Sequence, residues 1–234
     1  MALLRERTAA RPVLKWAGGK GRLLDQFEEM FPAALRAGRL RRYVEPFIGG
    51  GAVFFHIAQQ YSLREAVLCD VNPELILAYK VLQRDPELLI EELDALERPY
   101  LKLPGSRRKS FYYEIRDSYN ASPASHANGY DPLWAHRAAR MIFLNKTCFN
   151  GLYRVNRSGH FNVPHGRYAC PCICDQDNLR AASALTAGSI FTVRGSGGGW
   201  VVEADRMTSG AADPELTPQG STEGWEAFHW RPYG

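Results

Sequence analysis

The chain has 234 residues, 45% of them hydrophobic, and a formal charge of +4 at neutral pH, which suits one or two globular domains with a full core. No apolar run approaches the roughly 18 residues that cross a bilayer. The first ten residues interrupt their apolar stretch with charges, unlike a signal-peptide core, so a cytoplasmic protein is expected. The five cysteines are an odd number, as for reduced thiols. Cys170-Pro171-Cys172-Ile173-Cys174 lacks the paired spacing of a zinc site, and no metal is expected. The charge is uneven. Residues 1–194 hold 27 Lys+Arg against 19 Asp+Glu, and residues 195–234 hold 2 against 6. A basic body of this kind suits a polyanionic partner.

In chain order, Lys15-Trp16-Ala17-Gly18-Gly19-Lys20 comes first. Leu23, Leu24, Phe27 and Phe31 then recur at helical spacing, and Pro32 closes that helix. Val44-Glu45-Pro46-Phe47-Ile48-Gly49-Gly50-Gly51 reads as a strand running into a glycine turn that opens a helix through Val53–Ala58. Such a turn brings bare backbone close to a ligand, with helix amides facing it. A second strand, Ala66–Cys69, ends at Asp70. Asp70-Val71-Asn72-Pro73 then starts a helix from about Glu74 to Leu82. Strand and helix alternating in this way predict a parallel sheet with helical crossovers.

Past Arg84 the pattern changes to three helices without strands, over Pro86–Leu96, Ser110–Tyr119 and Asp131–Asn145. Tyr153–Asn156 and His160–Val163 flank Arg157-Ser158-Gly159 as a β-hairpin. Asp177–Ala187 reads as a returning helix and Ser189–Val193 as a strand. From Gly195 onward Gly, Ser, Thr and Pro make up 17 of the last 40 residues, which predicts a poorly structured tail.

An acid about 20 residues past a glycine turn is where nucleotide-binding α/β folds hold a ribose, which singles out Asp70; a helix N-cap is the other reading of that residue. Gly19-Lys20 is not a P-loop, because Leu14 and Gly21 stand where its first glycine and its hydroxyl residue belong. Arg and Asn on a two-stranded ribbon can pair with guanine and adenine in a major groove.

The Lys15–Lys20 and Val44–Gly51 segments, Asp70, Leu144–Asn156 and Gly159–Tyr168 together resemble the Dam-type (D12 class) adenine-specific DNA methyltransferases. The resemblance runs from about Pro12 to Val193. It implies an α/β, Rossmann-like methyltransferase sheet with an inserted helical DNA-recognition domain carrying a β-hairpin. Residues 1–84 and 176–194 would form the cofactor-binding domain, 85–175 the recognition domain and 195–234 the tail. The implied cofactor is S-adenosylmethionine and the implied partner double-stranded DNA, with adenine methylation as in restriction-modification. By resemblance Glu45, Pro46, Phe47, Gly49 and Gly51 shape the cofactor pocket, and Asp70 accepts from the ribose hydroxyls. Trp16 packs at the methionine end, where an aromatic face suits a sulfonium. Lys20 contacts cofactor or base, and Asn150, Arg154, Asn156, Arg157, Asn162 and Arg167 contact DNA.

The family's catalytic Asp-Pro-Pro-Tyr occurs nowhere in these 234 residues. The nearest remnant is Trp230-Arg231-Pro232-Tyr233, with Trp230 where the Asp belongs and Tyr233 left as a candidate for stacking on a flipped base. A truncated or frame-disrupted chain with little methylation activity is therefore expected. A non-catalytic DNA- or cofactor-binding protein is the alternative. A methyltransferase for a small molecule is disfavoured by the helical insert and hairpin.

Overall fold

The computed structural model describes residues 9–122 and 130–193. The tail 195–234, with Tyr233, lies outside the described residues. Three parallel strands form the sheet in the order β1 (Arg42–Glu45), β2 (Glu65–Asp70), β3 (Ile190–Val193). Val44 pairs with Val67 and Leu68 with Phe191. This register brings Glu45 and Asp70 to the carboxyl ends of adjacent strands, the end at which parallel α/β sheets bind ligands. The helices are α1 (Leu24–Met30), α2 (Ala33–Arg36), α3 (Ala52–Gln60), α4 (Pro73–Arg84), α5 (Pro86–Lys102), α6 (Gly105–Ala121), α7 (Trp134–Thr147) and α8 (Gln176–Thr186).

The central element is α4. Its side chains are buried on every side, from Leu75 through Tyr79 and again at Val81 and Leu82, as expected of a helix enclosed by other elements. Tyr79 stacks on Phe191 of β3 with ring centroids 5.3 Å apart at 11°. The other side of α4 meets α7, whose Ala135, Ala138 and Ala139 are buried and permit close approach. One continuous apolar cluster therefore runs from the sheet through α4 to α5, α6 and α7. Asn72, with its side chain accepting from the Glu74 and Leu75 amides at 3.0 and 3.3 Å, caps α4, and Pro73 occupies its first turn.

Three features depart from the expected elements. The helix expected over Pro86–Leu96 continues through Pro99 to Lys102, and the next begins at Gly105. Arg108 makes this possible. Its guanidinium donates to the Tyr100, Leu101 and Leu103 carbonyls at 2.7–3.1 Å and so satisfies the last turn of α5. The 3₁₀ turn Lys20–Leu23 and the single turn α2 also carried no periodic signal.

The third departure is the hairpin, which contracts to one antiparallel bridge, Val155 to Phe161. Asn156 N–H donates to His160 O at 2.9 Å and Asn162 N–H to Arg154 O at 3.1 Å. Phe161 and Val163 are buried in the common core, so this limb packs inward instead of extending a ribbon.

A buried ion pair ties α4 to α6 and α7. Arg137 donates to both Glu74 oxygens, at 2.6 and 2.9 Å, with the two side chains 13% and 12% exposed. It also reaches the Tyr119 and Ser122 carbonyls, and Tyr119 O–H donates to Glu74 at 3.0 Å. Removing one partner of a buried pair strands the other charge, which typically costs about 3–5 kcal/mol. Arg137→Ala is expected to lower the urea-unfolding free energy by that order. The double variant Glu74→Leu/Arg137→Met is expected to lose less. Equal losses would show that the pair is not desolvated.

Candidate functional site

Asp70 joins the two loops at the carboxyl end of the sheet. One carboxylate oxygen accepts from Gly49 N–H and the other from Asn72 N–H, both at 3.0 Å. The helix-cap reading of this residue is corrected, since Asn72 caps α4. Tyr79 O–H donates to Gly49 O at 3.0 Å from beneath. Gly49 and Gly51 have φ of +48° and +75°, which only glycine adopts cheaply. A Cβ at Gly49 would lie 2.9 Å from the Trp16 ring, and one at Gly51 2.7 Å from Tyr79 Oη.

Above these loops lies a cavity of about 840 Å³. Trp16, Lys20, Glu45, Phe47, Gly49 and Asp70 line it, with Lys146 of α7 on the far wall. Pro46 and Gly51 shape the turn from outside that wall. Phe47 is 56% exposed although large and apolar, leaving an aromatic face open to a ligand. Burial pushes the Glu45 carboxyl up to about 7, while the Tyr43 hydroxyl donating at 2.9 Å and the Lys20 charge pull the other way. Burial, together with the nearby Lys15 charge, holds the Lys146 amine below its usual range.

Cavity and hairpin meet through Asn145, which is 1% exposed. Its oxygen accepts from Lys15 N–H at 2.8 Å. Its amide nitrogen donates to Lys15 O at 2.8 Å and Gly151 O at 2.9 Å. Trp16 stacks on Tyr153 at 5.4 Å and 25°, and Lys15 Nζ lies 4.4 Å above the Tyr168 ring. Gly151, with φ of +62°, lets the loop approach so closely that a Cβ there would lie 2.6 Å from Lys15 Cβ.

Asn150, Arg154, Asn156 and Arg157 are exposed along the loop, and Asn162 is half-buried beside them. Arg154 Nε donates to Asn162 Oδ1 at 2.7 Å across the turn. The Asn156 oxygen accepts from Ser158 and His160 N–H at 3.0 and 2.9 Å, so this side chain shapes the loop tip. Arg167 is exposed further on, with φ of +54°. Cys170 and Cys172 are exposed free thiols.

Sequence reasoning did not single out Asn145, Lys146 or Tyr153. Asn145 carried a signal. It stands four residues after Met141 and three after Ile142, a polar amide within the apolar face of α7.

The parallel sheet, the glycine turn and the acid at the end of β2 define an α/β protein with a cavity at the carboxyl end of its sheet, compatible with a methyltransferase-like fold. The profile of the D12 class N6 adenine-specific DNA methyltransferases matches residues 16–193, and the chain belongs to this family. It is 48% identical over 175 residues to a Type II methyltransferase, M.MjaIII, of Methanocaldococcus jannaschii, a match covering 75% of this chain and 58% of the relative. It is 35% identical over 167 residues to a DNA adenine methylase of Vibrio cholerae, covering 71% and 52%. With a DNA adenine methylase of Salmonella typhi it shares 31% over 219 residues, covering 94% and 69%. The chain thus spans little more than half the length of the first two relatives. Among the described residues no helix is long and apolar enough to cross a membrane.

The raised Glu45 pKa has a consequence for stability. Between about 4.5 and about 7 the unfolded chain loses this proton and the folded one keeps it. Stability contributed by this group therefore falls as pH rises through that window. Urea midpoints of wild type minus Glu45→Gln should decline over that range and level off above it. A flat difference would place the Glu45 pKa at its ordinary value.

Proposed function

We propose that this chain binds S-adenosylmethionine in the 840 Å³ cavity and reads duplex DNA with the 149–167 loop, as part of an adenine-specific DNA methyltransferase. On this reading residues 1–84 and 176–194 form the cofactor part and 85–175 the recognition part. The observation that carries it is the gathering of two carboxylates and two aromatic rings around a glycine turn, directly against a loop of exposed Arg and Asn.

The cavity residues fit the cofactor chemically. Asp70 has one lone pair left on each oxygen after its two backbone bonds, enough to accept from a ribose diol. Donors from such a diol would also favour the ionised form of Glu45 and offset its burial. Trp16 and Phe47 present ring faces suited to a cationic sulfonium, and Lys20 and Lys146 suit the carboxylate end. When bound, the cofactor supplies the electrophilic methyl group. Asp70 and Tyr79 hold the turn rigid, and Asn145 keeps the Trp16 wall against the loop that meets DNA.

Methyl transfer to adenine requires a flipped base and an acceptor for its amino hydrogens. By family resemblance the Asp-Pro-Pro-Tyr segment supplies that acceptor, and these 234 residues contain none. Loss of a positioned acceptor commonly costs about 10²–10⁴-fold in rate. A chain of this sequence is therefore expected to bind cofactor and DNA and to methylate duplex DNA weakly or not at all. This favours, as a second reading, a role in binding alone. Robust methylation in a radiolabelled-cofactor assay would overturn that expectation and reveal another acceptor.

Asp70→Ala is expected to weaken S-adenosylmethionine binding by about 1–3 kcal/mol in calorimetry; unchanged affinity would remove Asp70 from the site. For DNA, replacing one phosphate-contacting arginine should lower the salt slope of binding by about one. Alanine at Arg154, Arg157 and Arg167 together should lower it more. A triple variant that shifts DNA like wild type would exclude the loop.

A further inference from the structure

The loop that carries Arg154 and Asn162 has almost no sheet to hold it. At its tip the pairing is one bridge, Val155 to Phe161, with two flanking hydrogen bonds; at its base a second bridge, Cys148 to His165, is flanked by Phe149 N–H to Pro164 O and Gly166 N–H to Thr147 O, both at 2.8 Å. A two-stranded element of that size is marginal in water by itself. Between tip and base, the Phe161–Val163 limb is held by α6. Asn120 near the end of α6 accepts from Phe161 N–H at 2.8 Å and donates to Phe161 O at 3.0 Å. One side-chain amide thus takes both backbone groups of Phe161, as a neighbouring strand would. Tyr112, two turns earlier on α6, donates its buried hydroxyl to Val163 O at 2.7 Å. Tyr119 of the same helix packs edge-on against the Phe161 ring at 6.3 Å and 84°.

Phe161 is the residue whose position sets the register of the polar pair beside it. It bridges to Val155, immediately after Arg154, and immediately precedes Asn162. Asn162 N–H in turn bonds Arg154 O at 3.1 Å, and Arg154 Nε bonds Asn162 Oδ1 at 2.7 Å. A shift of one residue at Phe161 would turn Asn162 inward and Phe161 outward, because facing alternates along an extended segment. Bidentate base recognition tolerates no such slip.

Resting on the reading of this loop as the DNA reader, we propose that Asn120 of α6 is a positioning residue for sequence recognition. It holds Phe161 so that Arg154 and Asn162 present a fixed pair to the bases, and Tyr112 supports it one step along the loop. Both polar ends of the Asn120 amide are taken by Phe161, and the side chain carries no charge. It therefore governs discrimination between sequences and leaves phosphate attraction to the arginines.

The test uses the full chain and duplexes enriched by wild type from a pool with a randomised centre, against scrambled duplexes of the same composition. Asn120→Ala is expected to reduce the preference for enriched over scrambled duplex by about tenfold or more. Its affinity for scrambled duplex, salt slope and S-adenosylmethionine affinity should match wild type, while the melting midpoint falls by a few degrees because the Phe161 N–H and carbonyl lose their partner. Asn120→Asp keeps the acceptor for Phe161 N–H and sets a lone pair against Phe161 O, so it should lose as much. Tyr112→Phe, which removes one hydroxyl and keeps the ring, should reduce preference in the same direction and decides the matter if the Asn120 variants do not fold. Unchanged preference in Asn120→Ala overturns the proposal. So does a loss that comes with an equal fall in scrambled-duplex affinity, since that is a structural role only. A wild-type chain that enriches no sequence overturns the DNA-reading assignment itself, and this inference with it.

Discussion

The arrangement depends on one buried side chain. Asn145, itself 1% exposed, carries the Lys15 backbone on one side and the Gly151 carbonyl on the other. A buried amide with these partners is stable only when they are all present, because each unpaired group would bear its full desolvation cost. The Lys15 segment is therefore held in a single position against Asn145, 130 residues away in sequence, and through it against Gly151. Trp16, one residue beyond Lys15, is carried over the glycine turn, and Tyr153, two beyond Gly151, is carried onto Trp16. The Trp16 wall of the cavity and the 149–167 loop share this joint, and their spacing follows from it.

A second constraint comes from the sheet end. The strands deliver Glu45 and Asp70 to the same end of the sheet, and the turn between β1 and α3 must then fold over them within very little space. Positive φ at Gly49 and Gly51 makes that fold possible, and Asp70 and Tyr79 hold it by hydrogen bonds to the Gly49 amide and carbonyl. The carboxylates are consequently arranged before any ligand arrives, which lowers the ordering cost of binding. Burial raises the Glu45 pKa to about 7.

Much of this was readable from the residues alone because the signals are local. The glycine turn, the apolar run of β2 and the Asn72-Pro73 start of α4 each depend on near neighbours in sequence. What was not readable depends on distant partners. The end of α5 is set by Arg108, which lies in the following helix. The contraction of the hairpin follows from Asn120 and Tyr112 drawing Phe161 and Val163 into the core. Asp70 could be read as a cap because the residue that does cap α4, Asn72, stands only two positions further on. The role of Asn145 needs both of its partners, and neither is near it in the helical pattern.

Hydrogen exchange on the full chain, with and without S-adenosylmethionine and duplex DNA, tests the central claim most directly, since it reads both halves of the joint at once. The account predicts that the cofactor slows exchange at the Trp16–Lys20 segment, the Gly49–Ala52 turn and the amides after Asp70, and that DNA adds protection across Asn150–Arg167. Cofactor protection at the opposite end of the sheet, around Tyr61–Glu65, or DNA protection that spares the loop, would contradict it.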